Sequence, residues 1–229
     1  MSNSTFSLVF WKPYGVLCQF TPGVHQHQST LKDWIDQPNV YPAGRLDQDS
    51  EGLLILTSQG PLQHLICHPK FDHKKTYWVQ VERTPTEDAL TQLRKGVKIK
   101  SGLTRPAQVR RLPTPSHLPP REPPIRYRKS VETTWLEITI SEGKNRQVRR
   151  MTAAVGYPTL RLVRVGLDLG PVGGSFSLEG LQPGRWRSFT NEELSKVSQL
   201  VKLQSNTKSR KRPLFQKRTR SHKSTSKFN

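Results

Sequence analysis

The stretch YPAGRLDQDSEGLLIL, Tyr41 to Leu56, places a charged loop directly before an apolar run. The run Leu53 to Leu56 has the length of a buried strand, and Gly52 precedes it. Aspartate and glycine commonly form turns, so Asp47 has a turn-forming interpretation, with Arg45 as its surface partner. A functional interpretation stands beside it. Asp47 is predicted to lie in a loop that leads into a core strand.

Alternating and apolar segments elsewhere in the chain predict further strands. They cover residues 6–11, 17–20, 75–83, 133–140 and 159–165. Capping residues and glycine stops predict helices between them. These cover residues 29–35, 84–95, 144–155 and 190–203, with Pro85 as the first residue of the second helix and Gly96 and Gly156 as stops. Because strands and helices alternate irregularly, the predicted fold class is α+β: a mixed, mainly antiparallel sheet flanked by helices.

The segment from Leu112 to Pro124 contains six prolines, which are incompatible with a regular helix or strand. It is predicted to be a loop or excursion. Its basic neighbours are Arg121, Arg126, Arg128 and Lys129. Two interpretations remain open for these charges: contact with phosphate groups, or simple solvation.

The predicted helix at 144–155, KNRQVRRMTAAV, has one apolar and one basic face. The apolar face carries Val148, Met151 and Val155. The basic face carries Arg146, Arg149 and Arg150. The strand that follows is predicted to place Arg161 and Arg164 together on its second face. This concentration of arginine calls for an anionic partner.

Composition points to the same kind of partner. The chain of 229 residues contains 37 Lys and Arg against 17 Asp and Glu, a formal net charge of +20. Nine basic residues and no acidic ones follow Leu203, and removing those nine from +20 leaves +11 on residues 1–203. We therefore predict a folded domain over 1–203, a disordered basic tail over 204–229, and a polyanion as partner.

Several classes of protein are excluded by what the sequence lacks. It contains no apolar run of the roughly 20 residues that span a bilayer and no basic leader, so we predict a cytoplasmic protein without membrane contact. Phosphate-binding loops, dinucleotide fingerprints, nucleophile elbows and HExxH motifs are absent. His64, Cys67, His68 and His73 have a spacing that a metal could use. We favour surface histidines on a short helix, because no second pair of ligands appears elsewhere in the sequence, and we predict no metal.

Three segments together resemble the RsuA-type pseudouridine synthases. They are GRLDQDSEGLLILTSQG (44–60), KTYWVQV (75–81) and EGKNRQVRRMTAAVGYPTLRLVRVG (142–166). Two further stretches, KPYGVLCQFT and RKSVETTWLEI, are similar to members that act on the large ribosomal subunit. The resemblance covers roughly residues 6–190. GRLD alone is a weak motif, but the three segments in this order are specific.

The resemblance implies an enzyme that isomerises uridine to pseudouridine in ribosomal RNA, in 23S rRNA of the large subunit, without a cofactor. By match to GRLD, Asp47 is implied as the catalytic carboxylate. It would attack C1′ or C6 or assist loss of the base, and the sequence does not choose among these routes. Arg45 is implied to fill the gap left by the flipped nucleotide. By match to KTY, Tyr77 would stack on the uracil; packing on a strand is its alternative role.

By match to QVRRM, Arg149 is implied to form the ion pair that holds Asp47. The neighbouring residues with an expected RNA-binding role are Lys144, Asn145, Arg146, Arg150 and Arg128. Many RsuA-type enzymes carry an S4 RNA-binding domain ahead of the KP-G segment, which here lies at 12–15. We therefore expect a monomer without an S4 domain that holds RNA on its own basic surface. The alternative function is a non-catalytic, ribosome-associated RNA-binding protein.

Overall fold

The computed structural model describes residues 5–23, 28–125 and 131–209. The strands are β1 (Ser7–Lys12), β2 (Tyr41–Ala43), β3 (Glu51–Thr57), β4 (Lys74–Glu82), β5 (Lys98–Ile99), β6 (Gly102–Leu103), β7 (Gln108–Leu112), β8 (Thr133–Ile140), β9 (Thr159–Asp168), β10 (Ser175–Ser177) and β11 (Trp186–Ser188). The helices are α1 (Gly60–Cys67), α2 (Glu87–Lys95), α3 (Gln147–Ala154), α4 (Gly170–Gly173) and α5 (Asn191–Ser209). Single 3-10 turns cover Leu31–Asp33 and Pro69–Phe71.

Within the described residues, one nine-stranded sheet has the order β11-β1-β3-β9-β4-β8-β7, with β2 added to β3 and β10 added to β9. Its pairs are antiparallel except β3 with β9, which run parallel and join the two halves of the sheet. Gly52 lies opposite Arg164 at this junction, with φ +108°, and a Cβ there would lie 2.3 Å from the Arg164 carbonyl oxygen. The close approach of the two halves therefore requires glycine at position 52. The predicted α+β class with a mixed, mainly antiparallel sheet is confirmed.

The central strands β1 and β3 are buried on both faces. Val9 and Leu53 belong to an apolar cluster shared with α1 and α5, whereas Phe10 and Leu54 pack on the opposite face with Leu31. A strand covered on both sides needs apolar residues at successive positions. The uninterrupted runs that predicted β1 and β3 arise from this double cover.

In the other half of the sheet, β4 and β8 alternate as predicted. Val79, Leu136 and Ile138 face α2 and α3, whose Leu90 and Met151 complete one buried cluster. The opposite face of β4 is covered by the proline-rich excursion. His117 contacts Trp78 edge-on with ring centroids 4.9 Å apart, and Arg161 donates a hydrogen bond of 3.0 Å to Pro119 O.

The excursion contains no helix or strand from Pro113 to Ile125, as predicted. Arg121 is engaged within the protein: its guanidinium lies 4.1 Å from the Tyr14 ring centroid and donates to Pro123 O and Pro124 O. Solvation alone is therefore the wrong interpretation for Arg121. Arg126, Arg128 and Lys129 lie outside the described residues.

Side-chain caps mark the start of α2 and α5, whereas α1, α3 and α4 begin without a side-chain cap hydrogen bond. Thr190 and Glu193 form the predicted reciprocal capping box of α5, with hydrogen bonds of 3.2 and 2.8 Å. The helix runs to Ser209, six residues past the predicted end, and residues 210–229 of the predicted tail lie outside the described part. The cap of α2 is Thr86, whose Oγ1 accepts from Ala89 N at 3.3 Å, so Pro85 precedes the helix rather than starting it.

Three predicted elements differ from the structure. The helix predicted over 29–35 is only the single 3-10 turn Leu31–Asp33. Residues 17–20 make one isolated bridge, Leu17 with Thr30, and no strand, because they run beside the loop of residues 44–50: Leu46 N donates to Cys18 Sγ at 3.3 Å. The helix predicted from Lys144 begins at Gln147 instead. A turn precedes it, closed by hydrogen bonds from Gln147 N to Lys144 O and from Lys144 N to Gln147 Oε1.

Candidate active site

Asp47 lies in the loop between β2 and β3, as predicted. Two hydrogen bonds join this loop to the turn after β1: Gly15 N donates to Gln48 O at 2.8 Å, and Gln48 Nε2 donates to Gly15 O at 3.1 Å. A third, from Ser50 N to Asp47 O, closes a turn within the loop. The carboxylate side chain is 33% exposed and therefore accessible on a braced loop.

Lys12, at the end of β1, provides a further brace beneath the loop. Its side chain is fully buried, and its ammonium donates to Pro13 O and Val16 O at 2.8 Å each and to Gln48 O at 3.4 Å. Burial lowers the pKa of Lys12 from 10.5 to about 8. Three carbonyl oxygens satisfy a buried cation, so Lys12 fastens the Asp47 loop to the first strand.

A cavity of about 360 Å³ opens beside this loop. It brings together residues of all three sequence segments: Asp47 from the first, Tyr77 from the second and Arg146 from the third. Arg45, Lys144 and Asn145 also line it. Its volume lies at the lower end of the range for pockets that bind one small organic group.

Tyr77 lies in the apolar core and also borders the cavity. Its side chain is 8% exposed, packs in the apolar cluster with Val79 and Ile138, and lines the cavity. Packing and cavity contact therefore coexist in this one side chain. The neighbouring strand places Arg164 directly opposite Tyr77.

Two carboxylates and two guanidiniums form a network at the cavity edge. Arg146 makes a bidentate pair with Asp49, with Nη1–Oδ1 2.9 Å and Nη2–Oδ2 2.7 Å. Its Nη1 also lies 3.6 Å from Asp47 Oδ2. The Arg146 backbone is in the left-handed region, φ 51° and ψ 34°, a conformation that costs a non-glycine residue on the order of 1 kcal/mol. This unfavourable backbone directs the side chain at both acids.

The expected ion pair between Arg149 and Asp47 is not the one formed. Arg149 Nε lies 3.3 Å from Asp49 Oδ2, while its Nη2 donates to the Asp49 carbonyl at 2.5 Å and its Nη1 to Thr159 O at 3.3 Å. Arg149 is therefore engaged by Asp49 and Thr159 rather than by Asp47. The partner of Asp47 is Arg146.

The charges of this network stabilise one another. Burial alone would raise the pKa of Asp49, but the hydrogen bonds from Arg146 and the charge of Arg149 hold it below its usual value. The pKa of Arg146 is raised by its hydrogen bonds to Asp49. Burial lowers the pKa of Arg149, whose side chain is 13% exposed. Asp49 is thus kept ionised between the two arginines.

The remaining predicted residues lie around the cavity or beyond it. Arg45 is exposed at its edge, and Lys144 bridges Leu103 O at 2.6 Å and Glu142 at 3.3 Å. Arg150 does not line the cavity; its Nη2 donates to Asn145 Oδ1 at 2.9 Å. Arg128 lies outside the described residues.

Comparison with known proteins decides the family. The family model described as RNA pseudouridylate synthase matches residues 7–154. The chain belongs to this family. The resemblance seen in the sequence is confirmed, and with it an enzyme of the isomerase class.

Among relatives, the ribosomal large subunit pseudouridine synthase E of Vibrio vulnificus is 52% identical over 183 residues, covering 80% of this chain and 74% of that protein. The protein of the same name from Xanthomonas campestris pv. campestris is 54% identical over 176 residues, covering 77% and 91%. A solved structure titled "Crystal structure of pseudouridylate synthase" superposes with a TM-score of 0.67 at 27% identity, covering 85% and 74%.

The pocket of this pseudouridine synthase contains an arginine that sequence reasoning did not assign. Arg164 is 6% exposed, lines the cavity, and donates from Nε to Leu53 O at 2.7 Å. Arg161, predicted to share its face, lies on the opposite one, where Glu51 pairs with it at 2.7 Å. Successive side chains of a strand point to opposite faces, so residues three positions apart, such as Arg161 and Arg164, lie on different faces. This alternation was the sequence signal that could have distinguished the two arginines.

Lys75 is a second unassigned cation of the synthase pocket. Burial, aided by the nearby charge of Arg164, lowers its pKa from 10.5 to about 8, and its Nζ donates to His73 O at 3.0 Å. A cation kept in a partly dry pocket next to another cation costs folding free energy.

We expect Lys75→Met to raise the free energy of unfolding near pH 7, by about 1–2 kcal/mol, because each unit of depressed pKa corresponds to about 1.4 kcal/mol and the lost hydrogen bond offsets part of it. The gain should shrink between pH 8 and 10.5, where folded Lys75 has already lost the proton that the unfolded chain retains. Urea unfolding at pH 7 and 10 measures this. A constant difference across that range would contradict the buried-cation interpretation.

Proposed function

We propose that this enzyme converts uridine to pseudouridine in ribosomal RNA of the large subunit, with Asp47 as its catalytic carboxylate. The observation that carries the proposal is the meeting of Asp47, Tyr77 and Arg146 from three distant segments at one cavity. The large-subunit names of the relatives at 52 and 54% identity support the substrate class.

The reaction is an internal rearrangement that needs no added oxidant or reductant. The C1′–N1 bond breaks and its electron pair stays on the uracil. The base then turns and C5 bonds to C1′. Finally C5 loses its proton and N1 gains one, so the atoms balance. Asp47 attacks C1′ or C6 or assists departure of the base, and each route requires an ionised carboxylate next to the uridine. We propose that the guanidinium of Arg146 orients that carboxylate.

The target base must leave its helix before it can reach Asp47. Extrusion costs a few kcal/mol, and stacking on an aromatic ring returns about 1–3 kcal/mol. We propose that Tyr77 supplies this ring and that Arg45 occupies the gap left in the RNA. Arg164 and Lys75 would then face the everted uracil, where positive charge stabilises the anion formed as C1′–N1 breaks.

The RNA around the target is proposed to lie on the basic surface next to α3. The residues proposed for this contact are Lys144, Asn145, Arg146 and Arg150. Arg128, which lies outside the described residues, is also proposed to bind RNA. Phosphate contacts make affinity fall steeply with salt. No helix in the described part of the chain is long and apolar enough to cross a membrane. We propose a monomer that acts in the cytoplasm, without a cofactor, on its RNA substrate.

The test is direct detection of the product. The purified full chain is incubated with a large-subunit rRNA transcript and, separately, a small-subunit transcript, and pseudouridines are mapped by chemical labelling and primer extension. A single new pseudouridine in the large-subunit RNA is expected. Binding without any pseudouridine in either RNA would instead support the rival function, a non-catalytic ribosome-associated protein.

A further inference from the structure

A row of aromatic rings leads from the cavity to the protein surface. It begins at buried His73, continues through Phe71 and His68, and ends at His64 on α1. Successive ring centroids are 5.8, 6.1 and 5.0 Å apart. His73 and His68 both line the cavity, whereas Phe71 and His64 do not, and His68 is exposed, so the row meets the cavity edge at His68.

Core packing does not explain the outer part of this row. His64 and His68 are exposed, whereas His73 is only 8% exposed. Metal binding does not explain it either: in the described ranges, no group of three or more His, Cys, Asp or Glu side chains is placed to hold an ion. The His68 ring is fixed by the hydrogen bond that its Nδ1 accepts from Lys70 N at 3.3 Å. A fixed, exposed ring at a cavity mouth is suited to contact a ligand.

Positive charge accompanies the rings. Lys70 Nζ lies 4.6 Å from the Phe71 ring centroid. Lys74, at the start of β4, is also exposed. Aromatic rings interleaved with cations are the usual surface for an unpaired nucleic-acid strand, since every base offers a face for stacking and every nucleotide a phosphate. We name His64, His68, Lys70 and Phe71 the rim platform.

We propose that the rim platform stacks the unpaired base adjacent to the everted uridine; this inference rests on the proposed function. The cavity admits one base, so the RNA strand must pass across its mouth on either side of the target. Eversion removes the stacking partner of each neighbouring base and leaves one face of each free. The platform offers a replacement ring on the side where His68 meets the cavity.

The test separates binding from turnover in the full chain. We expect His68→Ala to raise KM for large-subunit rRNA by about 5- to 150-fold, the factor that corresponds to one stacked base. The value of kcat should stay within about twofold, because in this scheme His68 contacts the neighbouring base and takes no part in making or breaking bonds of the target uridine. His68→Phe should restore KM, since it keeps a ring. Phe71→Leu, which keeps the apolar packing but removes the ring, should also raise KM.

The matched control is His117→Ala, which removes another exposed histidine in edge contact with an aromatic ring, but on the opposite face of β4. It should leave KM unchanged. A second readout places 2-aminopurine next to the mapped target uridine: its fluorescence should be quenched on binding of the native chain and less so with His68→Ala. Equal KM and equal quenching for both proteins would overturn the platform. Failure of the native chain to form pseudouridine would instead overturn the proposed function.

Discussion

Asp47→Asn is expected to abolish pseudouridine formation while leaving RNA binding nearly intact. The amide keeps the size and shape of the side chain but removes the negative charge that every proposed route requires. Loss of a group that takes part directly in covalent or proton-transfer chemistry commonly lowers kcat by about 10⁴-fold or more. Single-turnover assays with mapped rRNA measure the rate, and filter binding measures the affinity.

The control for this variant is Asp36→Asn, which removes the same charge from an exposed aspartate that does not line the cavity. It should retain native turnover. A further comparison is Asp49→Asn: Asp49 is the alternative carboxylate of the loop, but its oxygens are occupied by the two guanidinium nitrogens of Arg146. If Asp49→Asn were inactive and Asp47→Asn active, the catalytic assignment would move to Asp49.

The strands that the sequence predicted well are those whose environment is uniform along their length. An uninterrupted apolar run identifies β3 because both faces of this strand are covered. Alternation of apolar and polar residues identifies β8 because only one face of that strand is fully buried. Short edge strands such as β11, which is only Trp186–Ser188, have too few residues for either signal. The formation of β11 depends on its pairing with β1, a contact distant in sequence.

The sequence predicted which segments form the candidate site but not which arginine contacts Asp47. The three motifs identified Asp47 and Tyr77, and these do share one cavity. Which arginine reaches Asp47 depends on the backbone of Arg146, since φ 51° redirects its side chain away from the helical path assumed for 144–155. Sequence periodicity assumes regular dihedral angles, so it cannot anticipate a single left-handed residue.

That single backbone angle underlies the second large prediction. We expect Arg146→Met to lower kcat at saturating RNA by about 10²- to 10³-fold, the usual loss when one preorganised charged donor is removed from an active site. Asp47 would lose the guanidinium 3.6 Å away that orients it. Arg146→Lys should recover only part of the rate, because one ammonium cannot contact Asp47 and form a bidentate pair with Asp49 together.

Stability distinguishes Arg146 from Arg149. The Arg146 side chain is 41% exposed, so its replacement should change the free energy of unfolding little. The Arg149 side chain is 13% exposed and serves two backbone carbonyls, so Arg149→Met should destabilise the fold by about 1–3 kcal/mol. Urea unfolding of both variants measures this difference, and kcat is compared at a temperature where both remain folded.

The opposite ranking has a definite meaning. If folded Arg149→Met lost more kcat than Arg146→Met, Asp47 would exchange its partner when RNA binds, and the pair implied by the family motif would be the working one. Phosphate groups of the entering strand could drive such an exchange, because Arg146 is the more exposed of the two and a bound phosphate competes with Asp49 for its guanidinium. The rank order of two kcat values therefore decides whether the free and RNA-bound enzymes hold Asp47 with the same arginine.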